Sequence, residues 1–187
     1  ILLLKVFFLK VKIIYRGHSI EYDIRRKNNN FIISSLSFVF EKFVYKNSSI
    51  STSVSKLEMQ RVKKLYNIKT RIFPNIINFH EEKKSKSEFN KKYIFYSGSY
   101  DYQPNKKAID RLCFDIMQKL VKKYPKIILV LTGSKKIPHK AYWLKNLGLV
   151  SKNRYINILR NSLCLIVPTR EGYGTRVKII EALCHGT

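Results

Sequence analysis

Residues 93–133 read YIFYSGSYDYQPNKKAIDRLCFDIMQKLVKKYPKIILVLTG, and their texture sets the architecture of everything after them. Tyr93-Ile94-Phe95-Tyr96-Ser97 is a short apolar run stopped by Gly98, and Ile127–Thr132 (IILVLT) is a second one stopped by Gly133. Between them, over Asn105–Tyr124, residues Ala108, Ile109, Leu112, Ile116 and Leu120 recur on one stripe of a helical period. A third run, Leu163–Val167 (LCLIV), ends at Pro168. Strands that are apolar throughout, rather than alternating, are buried on both faces, as parallel strands between helices are. Residues 93–187 therefore predict a Rossmann-like, doubly wound α/β sheet.

Upstream the signals are shorter. Val11–Tyr15 (VKIIY) predicts a strand that meets a glycine turn at Arg16-Gly17-His18, and Phe31–Lys46 carries apolar residues at near-helical spacing. Ile50–Val54 (ISTSV) reads as a strand leading into Ser55-Lys56-Leu57-Glu58, a capping box that opens a helix to about Tyr66. Arg71-Ile72-Phe73 is another short strand, halted by Pro74-Asn75. His80–Lys92 (HEEKKSKSEFNKK) is charged, lacks an apolar face and reads as a linker. The expected organisation is residues 1–78 in one domain, 79–92 as linker and 93–187 in a second.

Composition bounds the partners. The chain has 187 residues, 45% apolar and 26% charged, which suits a packed core and excludes a disordered chain. Lysine and arginine total 37 against 12 acidic residues, a net charge of +25. That charge raises nucleic acid, an anionic membrane face or a phosphorylated small molecule as partners. Cys113, Cys164 and Cys184 are odd in number and widely spaced, which argues against a disulfide framework or a zinc site and for a reducing, cytoplasmic compartment. The opening ILLLKVFFLKVKIIY is broken by Lys5, Lys10 and Lys12, too short an apolar run for a membrane span, and reads as buried strand. With Ile1 first and Thr187 at a helix-to-loop junction, the sequence is expected to be a fragment of a longer chain.

In such sheets ligands gather beyond the carboxyl ends of the strands. After Val167 comes Pro168-Thr169-Arg170-Glu171-Gly172-Tyr173-Gly174-Thr175-Arg176-Val177-Lys178-Ile179-Ile180-Glu181. Gly172 and Gly174 let the backbone approach a ligand closely, and the helix that follows points its first N–H groups there, which suits an anion. Thr175, Arg176 and Lys178 add a hydroxyl and two cations suited to a diphosphate, with Tyr173 between the glycines. Glu181, about two turns into the helix, can accept from the paired hydroxyls of a ribose, and Glu171 from those of a sugar. The sum is a site for a nucleoside diphosphate sugar.

These residues resemble the retaining glycosyltransferase family 4 (group 1 glycosyltransferases) of the GT-B fold. The family's carboxyl-terminal signature appears here as EGYGTRVKIIEALCHGT, Glu171–Thr187, with nine residues between the two glutamates where seven are more common. Gly98-Ser99 and the following Pro104-Asn105 and Ala108 are similar to the glycine loop and "PN-x-x-A" helix of the family's donor domain. Ser53-Val54-Ser55 with Glu58 resembles its "VS-x-x-E" segment. Phe73-Pro74-Asn75 resembles its "IPNG" boundary, with Ile76 where glycine is usual. His18 resembles a strand-end histidine facing the sugar.

The resemblance implies that residues 1–78 are the end of an acceptor-side Rossmann-like domain and that residues 93–187 are a truncated donor domain. It implies a glycan or lipid-linked acceptor and transfer with retention, without cofactor or metal. Glu171 and His18 would act at the sugar. Gly98, Ser99, Gly172, Tyr173, Gly174, Thr175, Arg176, Lys178 and Glu181 would hold the donor. A fragment of this kind is expected to be inactive alone.

Two other classes are weighed against this reading. A basic nucleic-acid-binding protein is supported by the charge alone, since no helix-turn-helix, zinc spacing or aromatic stacking motif is visible. A sugar-nucleotide epimerase would share the fold and differ in product. The transferase reading also admits a peripheral contact with an anionic membrane on the cytoplasmic side.

Overall fold

The computed structural model describes residues 11–27, 31–77, 85–169 and 176–187. It is mixed α/β with two all-parallel sheets. The described residues up to Ile76 form one compact unit and those from Ile77 onward a second.

The first unit contains β1 (Ile14–Gly17), α1 (Glu21–Lys27), α2 (Phe31–Asn47), β2 (Ile50–Ser53), α3 (Lys56–Tyr66) and β3 (Arg71–Ile72). The strands pair in the order β1-β2-β3, with Ile14 opposite Ile50, Gly17 opposite Ser53 and Ser53 opposite Ile72. Its core is Ile20, Tyr45, Val62 and Tyr66, enlarged by half-buried Tyr15, Tyr22 and Phe38. The rings meet at angles: Tyr15 and Tyr45 lie 4.8 Å apart edge to face, and Phe38 and Tyr66 5.0 Å apart. Such pairs add about 0.5–1.5 kcal/mol to their burial.

Glu41 sits among them, buried, and its two oxygens accept from the backbone N–H of Glu21 and Tyr22 at 2.9 Å each and from the Tyr66 hydroxyl at 2.7 Å. One carboxylate of α2 thus caps the free amino end of α1, whose first N–H groups have no partner within their own helix. Asp23, also buried, takes the Arg61 guanidinium through two bonds of 2.8 and 2.6 Å, tying α1 to α3.

The capping box forms at the expected place with one change. Ser55 Oγ accepts from the Glu58 N–H at 3.2 Å, but Glu58 Oε2 accepts from Val54, one residue before the cap. Burial holds the Glu58 carboxyl above its usual range against that N–H bond. The helix closes at Asn67 in the left-handed region (φ 57°), which an asparagine tolerates.

The second unit contains β4 (Tyr93–Ser97), α4 (Gln103–Arg111), α5 (Met117–Lys123), β5 (Ile128–Thr132), β6 (Leu144–Asn146), α6 (Lys152–Asn161), β7 (Cys164–Leu165) and α7 (Val177–Cys184). A widened π turn, Leu112–Ile116, joins α4 to α5, so the predicted single helix carries one irregular turn in its middle. Gln118 Nε2 reaches the Cys113 carbonyl within it, at 3.4 Å.

β4 and β5 are buried along nearly their whole length, and Phe95, Tyr96, Leu129, Val130, Leu112, Met117 and Leu159 form one core. Each fully buried side chain of this size contributes roughly 1.5–3 kcal/mol. β7 is shorter than the run Leu163–Val167 suggests, because it pairs with β4 alone and Leu163 and Cys164 remain exposed. Among the described residues, no helix is long and apolar enough to cross a membrane.

The sheet order is β6-β5-β4-β7, that is, third, second, first and fourth strand of the unit. The chain winds one way from β4 to β6 and then returns to the other side of β4. This is the Rossmann order, with its topological switch point between β4 and β7.

Candidate functional site

The switch point selects the carboxyl ends of β4 and β7 as the place for a ligand, and α7 sends its polar residues there. Lys178, in the first turn of α7, is half-buried; its Nζ donates to the Ser97 carbonyl at 2.6 Å, at the tip of β4, and lies 4.6 Å from the centre of the Tyr96 ring. Burial, and secondly the charge of Arg176, push its pKa down to about 8. Tyr96 is pushed up to about 12 by burial, with Arg176 pulling the other way. Arg176 and Lys178 therefore form a pair of neighbouring cations at the amino end of α7, at a cost that an incoming anion would relieve.

Glu181, in the next turn of α7, accepts from the Tyr155 hydroxyl of α6 at 2.8 Å through Oε2. Tyr155 packs on Phe95 of β4, ring centres 5.5 Å apart. Burial and the bond to Glu181 raise the phenol above its ordinary range, so Tyr155 is a fixed donor. Among the described residues, Glu181 Oε1 takes no protein donor, which leaves one carboxylate oxygen available to a ligand hydroxyl.

The loop after β4 is organised differently from the sequence reading. Gly98 donates its N–H to the Thr132 carbonyl at 2.9 Å, and its carbonyl accepts from Ser134 Oγ at 2.8 Å. Its backbone N–H and carbonyl are both engaged within the unit. What requires glycine is crowding: a Cβ on Gly98 would stand 2.7 Å from the Asn105 side chain. A Cβ on Gly133, at φ +91°, would stand 3.1 Å from the Gly98 backbone. Ser99 Oγ donates to Asp101 at 3.2 Å and also accepts the Asp101 N–H, so its first role is to shape the turn.

Behind this loop lies a network that sequence reading missed. Asp110 Oδ1 accepts from the Tyr100 hydroxyl at 2.9 Å and meets His139 Nε2 at 2.7 Å, and His139 packs edge-on against Phe114 at 4.8 Å. Tyr155 was equally invisible, because α6 (KNRYINILRN) is too polar to announce itself. The only sequence signal for it is Ser151, which caps α6 by accepting from Arg154 at 3.4 Å.

Glu171, Gly172, Tyr173, Gly174 and Thr175 lie outside the described residues. His18 belongs to the first unit, exposed in the bend after β1. Its neighbour Gly17 is closed in by Tyr45 Oη, which any Cβ there would strike. A cavity of about 1180 Å³ in the second unit opens at the opposite, amino ends of the strands, lined by Ile94, Ile116, Leu120, Ile127 and Ile166. Its lining is mainly apolar but includes Asn90, Lys91, Lys92, Lys123 and Lys126, so the carboxyl ends of the strands are selected as the candidate site by the sheet topology and not by want of polar groups here. Among the described residues, no group of three or more histidine, cysteine or acidic side chains is placed to hold a metal. No protein-family model matches this chain, and no curated protein matches it.

Proposed function

We propose that the second unit binds a nucleoside diphosphate sugar and that the protein is a retaining glycosyltransferase of GT-B architecture. The observation that carries this reading is the placement of Lys178 and Glu181, one turn apart on α7, beside the tip of β4 at the switch point of a Rossmann-ordered sheet. A cation at the strand tip and a half-free carboxylate beyond it match, in order, a diphosphate and a ribose.

In this reading Arg176 and Lys178 hold the diphosphate and stabilise its charge as it leaves, an electrostatic role that needs no metal. Tyr155 fixes one oxygen of Glu181 and leaves the other for the ribose hydroxyls. Glu171 would take sugar hydroxyls, with Gly172, Tyr173, Gly174 and Thr175 supplying close backbone approach, and His18 would contribute from the acceptor-side unit. The bond between the anomeric carbon and the diphosphate breaks. The acceptor oxygen bonds the same carbon on the same face, which retains its configuration, and the acceptor hydroxyl gives up its proton to the departing diphosphate.

Calorimetric titration with UDP-, GDP- and ADP-sugars tests the proposal. One of them binds, and Glu181→Ala abolishes the binding. Tight binding by that variant, or no binding of any donor by the parent, overturns the site.

A further inference from the structure

We propose that the cavity at the amino ends of the second unit's strands is a binding site for a free long-chain carboxylate, a single apolar chain with one anionic head. It lies at the other end of the sheet from the donor crevice, and the proposal does not rest on the transferase reading.

The cavity arises where α5 overhangs the short edge strand β7. Met117 and Val121 of that helix enter the core, whereas Ile116, Leu120 and Tyr124, at i, i+4 and i+8, form a second stripe that faces the cavity. Ile94 of β4 and Cys164 of β7, opposite each other in register, make its floor, and Ile166 continues it. At about 1180 Å³ the space matches the upper end of small-molecule pockets, roughly 300–1,000 Å³, and admits a long chain.

Charge is confined to one end. Lys91 and Lys92 immediately precede β4, Lys123 ends α5 and Lys126 precedes β5, so all four stand exposed at the amino ends of the parallel strands. Among the described residues, no lining side chain is acidic, and none of the four lysines pairs with a carboxylate. Ile116 lies seven residues back from Lys123, roughly 10 Å at 1.5 Å per helical residue, and there the lining is aliphatic. A basic mouth above an aliphatic interior fits an anionic head on an apolar tail. It does not suit a nucleic-acid strand, whose bases stack on aromatic faces, because the aromatic ring here, Tyr124, is faced by Lys123 at 5.6 Å. An amphipathic peptide helix would carry its charge along its whole length and not at one end.

The test is calorimetric titration of the full chain with octanoate, decanoate and dodecanoate, each below its micelle-forming concentration, and with 1-decanol as the neutral control. The carboxylates bind at one site, and affinity rises about tenfold for each two methylenes added. 1-Decanol binds about fivefold more weakly than decanoate. Lys91→Glu with Lys126→Glu, both at exposed positions, lowers decanoate affinity about tenfold, leaves 1-decanol unchanged and keeps the melting temperature of the parent. Cys164→Phe, which fills the cavity from an exposed position, weakens both ligands. Equal affinity for decanoate and 1-decanol, affinity that does not follow chain length, or binding unmoved by either variant overturns the proposal. So does uptake seen only with phospholipid vesicles, which would assign the lysines to a bilayer surface. Donor titration is a separate readout, so failure of either reading leaves the other standing.

Discussion

Lys178 is a cation held in a place that disfavours its charge, and the sign of that effect can be measured. Its pKa is lowered to about 8 by burial and by Arg176, whereas in an unfolded chain it stays near the ordinary lysine value of 10.5. Between those two pH values the unfolded state binds more protons, so the contribution of Lys178 to stability rises with pH there. Below pH 8 both states are protonated and the cost of burying the charge is fully present. Donor binding runs the other way, because a diphosphate favours the ammonium. Donor affinity is expected to weaken as pH rises through about 8, and Lys178→Met should flatten that profile in calorimetry at pH 7 and pH 9.

Tyr155 offers a second check. Tyr155→Phe keeps the ring contact with Phe95 and removes the donor to Glu181. Donor affinity should fall by about tenfold or more, of the order of one hydrogen bond to a charged group at about 1.5–3 kcal/mol. Tyr155→Phe binding the donor as the parent does would show that Glu181 needs no fixing. Glu181 could be read from its sequence context and Tyr155 could not, because nothing in a polar helix reveals which residue across the unit it will meet. Gly98 was legible as a glycine that matters, but its partners, Thr132, Ser134 and Asn105, come together only in three dimensions.

Whole helices and strands were readable where hydrophobic period was strong. β4 spans the residues its apolar run defines, β5 begins one residue later than its run, and α3 starts where its capping box indicates and ends at Tyr66, as expected. The elements the sequence hid were the polar ones. α1 (EYDIRRK) has little apolar content and is held by Glu41 and Arg61 from outside. The π turn at Leu112–Ile116 leaves the stripe of apolar residues almost intact, so the period carries no trace of it.

Because Glu41 serves three donors from two elements, Glu41→Gln should destabilise the first unit by about 2–3 kcal/mol in denaturant unfolding, since an amide presents an N–H where N–H groups already point. Ser55→Ala, which removes a single cap, should cost about 1 kcal/mol. A Glu41→Gln variant no less stable than Ser55→Ala would contradict the view that this carboxylate organises the unit.

Taken as one polyelectrolyte, the protein has +25 charges spread along its length, and that charge alone supports a nucleic-acid reading. Contacts of that kind are released by salt, since each neutralised phosphate frees counterions. Random-sequence DNA should therefore bind at low ionic strength and be lost steeply as salt rises, while the donor titration changes little. DNA retained at high salt, with no donor bound, would favour the nucleic-acid class. The parallel sheet of the second unit was foreseeable from its apolar runs, whereas that of the first, whose β2 is the polar ISTS, was expected from the family resemblance alone. The Rossmann order of the second unit was less so, because β6 is three residues of mixed character (LKN) and the winding direction rests on it.

The touching backbones of Gly98 and Gly133 act as a rivet between neighbouring strand tips. A side chain at Gly133 would therefore prise the tips of β4 and β5 apart, whereas α7 is moored to the tip of β4 through the long side chain of Lys178.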